Sequence, residues 1–408
     1  IALRQPQKGI LPAVSVLPPT PFDVDRDHPE VFVAAGEGPY ENTRCALEGL
    51  DLSPARGKRV LLKPNAGREV DFGRGVTTHP QVMAAAIDLF REAGAEVAIG
   101  ESPIVGVDTL VAYERCGIKA VADARDCPLI DMDQRPFVKV EIPEGVAINR
   151  LKVCPELFEY DIIVSIPVMK MHMHTRVTLG VKNMKGCLWR RSKVELHMLP
   201  PIPGRDDKSL DIAITDMASV LPPHLSIVDG AIGMEGLGPS AGEAKELGVV
   251  VAGVEPFATD AVACELMGIA AHDVPHLRLP AERGYGIIDL DRIRVSPENW
   301  REFASSFALP PENLSIEFAN VEVLDEQSCS ACQSTLMLFL RRYGEQLFGE
   351  ETDGERRPIA IGKGHASLPP DTLCVGNCTA KFKGEHCFVS GCPPVASEIL
   401  NAYTEYFR

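Results

Sequence analysis

The sequence predicts an α/β protein: a largely parallel sheet flanked by helices, followed by a small C-terminal α/β domain rich in cysteine. Three observations predict it. Between residues 59 and 267, short apolar runs alternate with amphipathic stretches of helical period. Polar motifs stand directly after several of those runs, where parallel sheets bind ligands. Six of the twelve cysteines fall after residue 328.

Taken in order, residues 1–40 are rich in Pro and lack periodicity, and are expected to lie extended over the surface. The α/β domain is expected over 41–290. Arg59–Lys63 reads as a buried strand that ends at Pro64-Asn65. Thr78 is placed to cap a helix that has Pro80 in its first turn and stops at Gly94. Glu96–Glu101 is the next strand, and Thr109–Cys116 a short helix closed by Gly117. Asp161–Pro167 is a third buried strand, and Leu210–Leu221 is an amphipathic helix. Leu225–Asp229 and Gly248–Ala252 are strands, and Ala258–Met267 is a helix ended by Gly268. Pro297, Pro310 and Pro311 mark a linker over 291–328. Beyond it, helices are expected over Thr335–Leu347 and Val395–Phe407. Strands are expected at Pro358–Ile361 and Thr372–Val375.

The formal charge of −16 argues against non-specific nucleic-acid binding, which needs basic patches. No apolar run approaches the roughly 20 residues of a membrane helix. The opening Ile1–Pro6 lacks the basic-then-apolar pattern of a signal peptide. Twelve cysteines over 408 residues are too sparse for a disulfide scaffold, so a reducing cytoplasm is the expected setting.

Cys329 and Cys332 form a CxxC that sets two sulfurs on one turn. Gly376-Asn377-Cys378 and Gly391-Cys392-Pro393-Pro394 follow, with Cys374 and Cys387 between. The glycines let backbone N–H groups approach a cluster. Pro393 is expected to start the last helix, whose dipole would favour a Cys392 thiolate. Four cysteines also serve zinc, the alternative metal.

In the main domain, Lys63, Asn65, Lys182, Asn183 and Lys185 offer a cationic pocket for an anionic substrate, a carboxylate or a phosphate. Lys170 and His172 are candidate catalytic groups, with His174 on the same side of an extended segment. Two such imidazoles suit either acid–base work or a divalent metal. Glu101, Asp229 and Glu235 are the carboxylate candidates from other strand ends. No dinucleotide fingerprint, Walker A sequence or Gly-x-Ser-x-Gly occurs. Cys187 reads as a core thiol.

The order CxxC, Gly-x-Cys, Gly-Cys-Pro-Pro resembles the proximal [4Fe–4S] site of nickel–iron hydrogenase small subunits. The resemblance covers about eighty residues, with compressed spacings. It implies that Cys329, Cys332, Cys378 and Cys392 are the ligands, with Cys374 and Cys387 as possible alternatives. From about residue 55 to 285, the Lys63-Pro64-Asn65, Lys170–His174, Lys182–Gly186 and Asp229-Gly230 motifs resemble a family known as domain of unknown function 362. Its members often carry iron–sulfur modules. A fold-level likeness to the N-terminal domain of nickel-dependent lactate racemases is more distant. The expected function is an iron–sulfur oxidoreductase acting on an anionic small molecule or cofactor. Two alternatives stand beside it: an electron carrier docking on a redox partner protein, and a racemase-like isomerase with a structural cluster.

Overall fold

The computed structural model describes residues 17–310, 318, 320–349 and 356–407. It divides into two compact units. One holds the chain up to Lys193 and from Ile202 to Pro310; the other holds Val194–Pro201 and the chain from Pro311 on.

The first unit is built on a ten-stranded sheet. Its strands are β1 (Glu30–Ala35), β2 (Arg59–Pro64), β3 (Glu96–Glu101), β4 (Leu129–Asp131), β7 (Ile162–Ile166), β8 (Val168–His172), β9 (Arg176–Thr178), β10 (Leu225–Glu235), β11 (Glu243–Gly253) and β12 (Arg294–Ser296). A separate antiparallel pair is formed by β5 (Val138–Glu141) and β6 (Arg150–Val153). The spatial order is β12-β1-β11-β10-β7-β2-β3-β4, with β8 and β9 branching from β10. Pairings β10–β7, β7–β2, β2–β3 and β3–β4 are parallel. Besides β9, which runs antiparallel to β8, the expected parallel order is broken by β11, which runs antiparallel to both β10 and β1. It returns from β10 by a hairpin of long strands, where only the short run 248–252 is expected from the sequence.

The α-helices among the described residues of this part of the chain are α1 (Pro39–Glu48), α2 (Pro80–Glu92), α3 (Thr109–Arg115), α4 (Ile118–Asp123), α5 (Gly180–Asn183), α6 (Ser192–Glu195), α7 (Ser209–Ala218), α8 (Pro256–Leu266) and α9 (Pro275–Glu282). Strand alternation divides the core into two layers. Val60 and Leu62 of β2, with Ile162, Val164 and Ile166 of β7, pack with Met83, Ile87 and Phe90 of α2. Val228 of β10, with Val249 and Val251 of β11, packs with Ala258, Val262 and Leu266 of α8. A helix on each face buries both sides of the central strands, which is why these read as unbroken apolar runs.

Two boundaries differ from the sequence reading. Strand β1, inside the segment expected to lie extended over the surface, pairs with β11 and β12 within the sheet; residues 1–16 of that segment lie outside the described residues. The stretch read as a linker is shared between the units: β12, Trp300 and Phe307 belong to the first unit, where both aromatics are buried. The cap of α2 is His79, whose Nδ1 accepts from Gln81 N at 3.2 Å. Thr78 has a different job, described below.

The second unit carries a four-stranded, wholly parallel sheet in the order β13-β14-β15-β16. The strands are β13 (Val321–Asp325), β14 (Arg357–Ile361), β15 (Leu373–Val375) and β16 (Cys387–Val389). Helices α10 (Ser330–Phe348) and α11 (Ala396–Tyr406) cover it, through Leu336, Phe339, Leu340 and Ile399 packing on Ile359, Ile361, Leu373 and Val375. Since α11 begins at Ala396, Cys392 precedes it by a loop, and Cys329 is instead the cysteine at a helix N-terminus, as the residue before α10.

Candidate functional site

In the first unit, the carboxyl ends of β2, β3, β7 and β10 meet. Alternation along β2 and β7 turns Lys63 and Ser165 away from the α2 layer, and the two are register partners. Asn183 of α5 spans them: its Nδ2 donates to Lys63 O and to Ser165 Oγ, each at 3.1 Å. Its Oδ1 accepts from Lys63 Nζ at 3.1 Å. Lys63 Nζ also forms a buried ion pair with Glu101 at 2.9 Å and donates to Pro64 O at 2.8 Å. Glu101 also accepts from backbone, Ala66 N donating to its Oε2 and Ser102 N to its Oε1. A Cβ on Gly186 would collide with Lys63 and with Glu101 Oε1, so the close approach requires glycine here.

Thr78 ties the strand ends together. Its hydroxyl donates to Ile166 O and accepts from Asn65 N, both at 2.7 Å. Asn65 is thereby aimed at the next lysine: its Oδ1 accepts from Lys170 Nζ at 3.2 Å, and Val76 O accepts from the same ammonium at 2.8 Å. Lys170 pairs in register with Thr178, which accepts from Lys182 Nζ at 3.1 Å. Lys170 and Lys182 are 3% and 6% exposed, and these partners are all neutral.

The electrostatics follow from that burial. Burial pushes Lys170 down to about 7, helped by the neighbouring charges of Arg68 and Lys63. Burial likewise pushes Lys185 down to about 7, with Lys193 adding to it. Lys182 is driven well below the ordinary lysine range by burial and then by Lys185 and Lys170.

The other candidates have separate settings. Asp229 accepts from His79 N at 2.7 Å and from Ala231 N at 3.0 Å, and so braces the start of α2 against β10. Burial raises it to about 6 against the pull of those N–H groups. Glu235 accepts from Lys245 Nζ at 3.1 Å and from Ala308 N at 2.9 Å. Its carboxylate is therefore paired with Lys245 across the β10–β11 hairpin. His172 and His174 are buried with ring centroids 5.9 Å apart, and His174 N donates to His172 Nδ1 at 3.1 Å. Cys187 is buried, which pushes its thiol to about 12, as a core residue should be.

Two features escape sequence reasoning. Arg68, on the loop after β2, adds its charge to that felt by Lys170, and no motif marks it. Asp211 of α7 lies 3.3 Å from the wholly buried His276 of α9, and its charge reaches Lys182. Neither ring nitrogen of His276 has a hydrogen-bond partner. Only the fold brings these helices together.

The second unit gathers the four cysteines at the carboxyl end of its sheet. Cys329 and Cys332 follow β13 and open α10, Cys378 follows β15, and Cys392 follows β16. Their loops are laced by backbone bonds. Gly376 N donates to Val389 O, and Asn377 N to Gly391 O, both at 2.9 Å. Asn377 Oδ1 returns the link by accepting from Gly391 N at 2.9 Å. Gly376 has φ +92°, and a Cβ there would stand 3.2 Å from Cys332 Sγ. Cys332 is pushed up by its hydrogen bond with Cys329, then by burial, then by the nearby charges of Cys329, Cys378 and Cys392. Cys329 is correspondingly pushed down by Cys332 and by surrounding N–H groups. Cys392 Sγ also lies 3.8 Å from Met198 Sδ. By contrast, Cys374 and Cys387 lie on the strands, buried, with burial raising them to about 12 and about 11. Among the described residues, no three His, Cys, Asp or Glu side chains form a group suited to a single metal ion.

Residues 60–265 match the family described as a domain of unknown function (DUF362). A thylakoid-associated protein of Synechocystis sp. is 32% identical over 219 residues, which is 54% of this chain and 66% of that protein, just under two thirds of its length. The lactate racemase apoprotein of Thermoanaerobacterium thermosaccharolyticum aligns over 61% of this chain and 60% of its own, at 14% identity and a TM-score of 0.39, too low to carry an argument. No helix among the described residues is long and apolar enough to cross a membrane.

Proposed function

The chain belongs to the DUF362 family, and since that description names no reaction, we propose one from the residues: an iron–sulfur oxidoreductase that acts on an anionic small molecule. Cys329, Cys332, Cys378 and Cys392 would hold a [4Fe–4S] cluster, and the cradle of Lys63, Asn65, Lys170, Lys182, Asn183 and Lys185 would hold the substrate. The cluster would supply single-electron exchange.

The observation that carries this reading is the convergence of four cysteines from three loops at one sheet end, with Cys332 feeling the charges of the other three. The donor set fits the group. Thiolates are soft ligands that suit iron–sulfur centres. Glycine at 376 lets its loop pass close to Cys332, where a Cβ would stand 3.2 Å from the Sγ. Cys374 and Cys387 fit the hydrophobic core better than a ligand set.

Purification without oxygen, with iron, zinc and acid-labile sulfide analysis, tests the reading. About four irons and four sulfides per chain are expected, with a visible absorption that dithionite bleaches and a spin-resonance signal that appears on reduction. A colourless protein carrying one zinc would overturn it.

A further inference from the structure

Burying cations without counter-charges is costly, and the first unit does so repeatedly. Lys63 is paired with Glu101, which also accepts from Ala66 N and Ser102 N. Lys193 of α6 has Asp133 at 3.9 Å. Asp211 of α7 lies 3.3 Å from His276 of α9, and its charge offsets part of the burial cost of Lys182. Arg68, Lys170 and Lys182 remain as neighbouring cationic groups, Lys170 feeling the charge of Arg68 and Lys182 that of Lys170. Among the described residues, Lys170 and Lys182 hydrogen-bond only to neutral oxygens in the contacts identified. Arg68 is half-buried and enclosed enough that its charge is penalised by burial alone.

A single carboxylate neutralises one of these groups. We propose that the cradle of Arg68, Lys170 and Lys182 takes a small molecule that presents at least two negative charges, a phosphate ester or a dicarboxylate, and discriminates against monoanions. This deepens the anionic-substrate half of the reading above and rests on it. Arg68 supplies the planar fork that grips two oxygens of one anionic group, and the lysines act as point charges on the rest. Asn65 holds Lys170 in place from the neutral side.

The sign of the pH dependence follows. In the empty cradle Lys170 sits near 7, below its ordinary value of 10.5, so between those values the unfolded chain binds the extra proton. Stability of the anion-free protein therefore rises as pH goes up through this window. A bound dianion favours the charged lysine, so its affinity falls over the same window.

Calorimetric titration of the protein as isolated tests this with sulfate, which is a dianion throughout the range, and with acetate at matched ionic strength. Sulfate is expected to bind roughly tenfold more tightly than acetate, and to weaken progressively from pH 6.5 to 9. Pyrophosphate and succinate separate the two classes: whichever binds tighter identifies the phosphoryl or the dicarboxylate arm. Arg68→Gln should abolish the preference and Arg68→Lys retain part of it, while the exposed Arg115→Gln changes nothing. Equal affinity for acetate and sulfate, no binding of either, or an unchanged preference in Arg68→Gln overturns the proposal. Iron content and the spin-resonance signal of the same samples report on the cluster alone, so loss of the redox reading is distinguishable from loss of this one.

Discussion

The cysteine loops and the lysine cradle are the same architectural device in opposite charge. Each lies at the carboxyl ends of parallel strands, where loops diverge and backbone N–H groups face outward. Each assembles groups that repel one another once ionised: thiolates in the second unit, ammonium and guanidinium groups in the first. They differ in what surrounds the groups. Cys378 and Cys392 sit on glycine loops and Cys329 and Cys332 at the start of α10, with Cys378 exposed and Cys329 and Cys392 partly so. The lysines sit on strands and a helical turn, inside the protein, held by Asn65, Asn183 and Thr178. A soft metal centre can be added to pliable loops after folding. A buried cationic cradle has to be built rigid, because each lysine must be held against burial until its anion arrives.

The sharpest way to test the contrast is to remove one group at each place. Cys332→Ser should abolish iron retention, since this is the cysteine that feels the charges of the other three. Cys374→Ser and Cys387→Ser should retain full iron and lose only a little stability, about 1 kcal/mol from core polarity. Iron per chain after anaerobic reconstitution reads the difference. Iron lost in Cys374→Ser but kept in Cys392→Ser would move the ligand set.

In the cradle, the largest effect is expected from Lys63→Met. It leaves Glu101 buried at 2% side-chain exposure without its cation, a change that costs about 3–5 kcal/mol. Lys63→Met with Glu101→Leu should recover much of that loss, because the pair is then replaced by apolar volume. Chemical denaturation of both variants measures it. A single variant as stable as the parent would show that the carboxyl is protonated and that the pair is no ion pair. Gly186→Ala should come next, at about 1–3 kcal/mol, since its Cβ would stand 2.7 Å from both Lys63 Cε and Glu101 Oε1.

The contrast also explains which parts were legible in the sequence. Most elements announce themselves: the buried strands at 59–64, 96–101 and 162–166 by unbroken apolar runs, and α2 and α8 by helical period and closing glycines. The four cysteines were legible because loop ligands come as short motifs, CxxC and Gly-x-Cys, whose spacing carries their geometry. Lys63, Asn65, Lys170 and Lys182 were legible as strand-end polar groups. Arg68 and the Asp211–His276 pair were not, because their placement depends on a loop path and on how α7 packs against α9. The β10–β11 hairpin was underestimated for a similar reason. Its outer half is polar and half-exposed, so alternation is weak there, and pairing with β1 settles β11 instead. The surface segment before residue 40 hid β1 because one edge partner, β12, lies more than 250 residues downstream.

Glu235 supplies the smallest effect and the strictest boundary for the cradle. Sequence reading grouped it with Glu101 and Asp229 as a carboxylate of the cleft, whereas its partners are Lys245 and the N–H of Ala308. The Ala308 N–H first, and then Lys245, hold it below the usual glutamate range. With both side chains partly exposed, Glu235→Gln should cost roughly 0.2–1 kcal/mol. A carboxylate with a lowered folded value contributes its stability above the unfolded value of 4.5 and loses it as pH falls through the folded one. The parent and the variant should therefore differ at pH 7 and converge in acid. Sulfate affinity should be the same in both, because Glu235 is held by Lys245 and the Ala308 N–H. A changed affinity would carry the cradle across the sheet to the hairpin and end its description as a closed group of strand-end lysines.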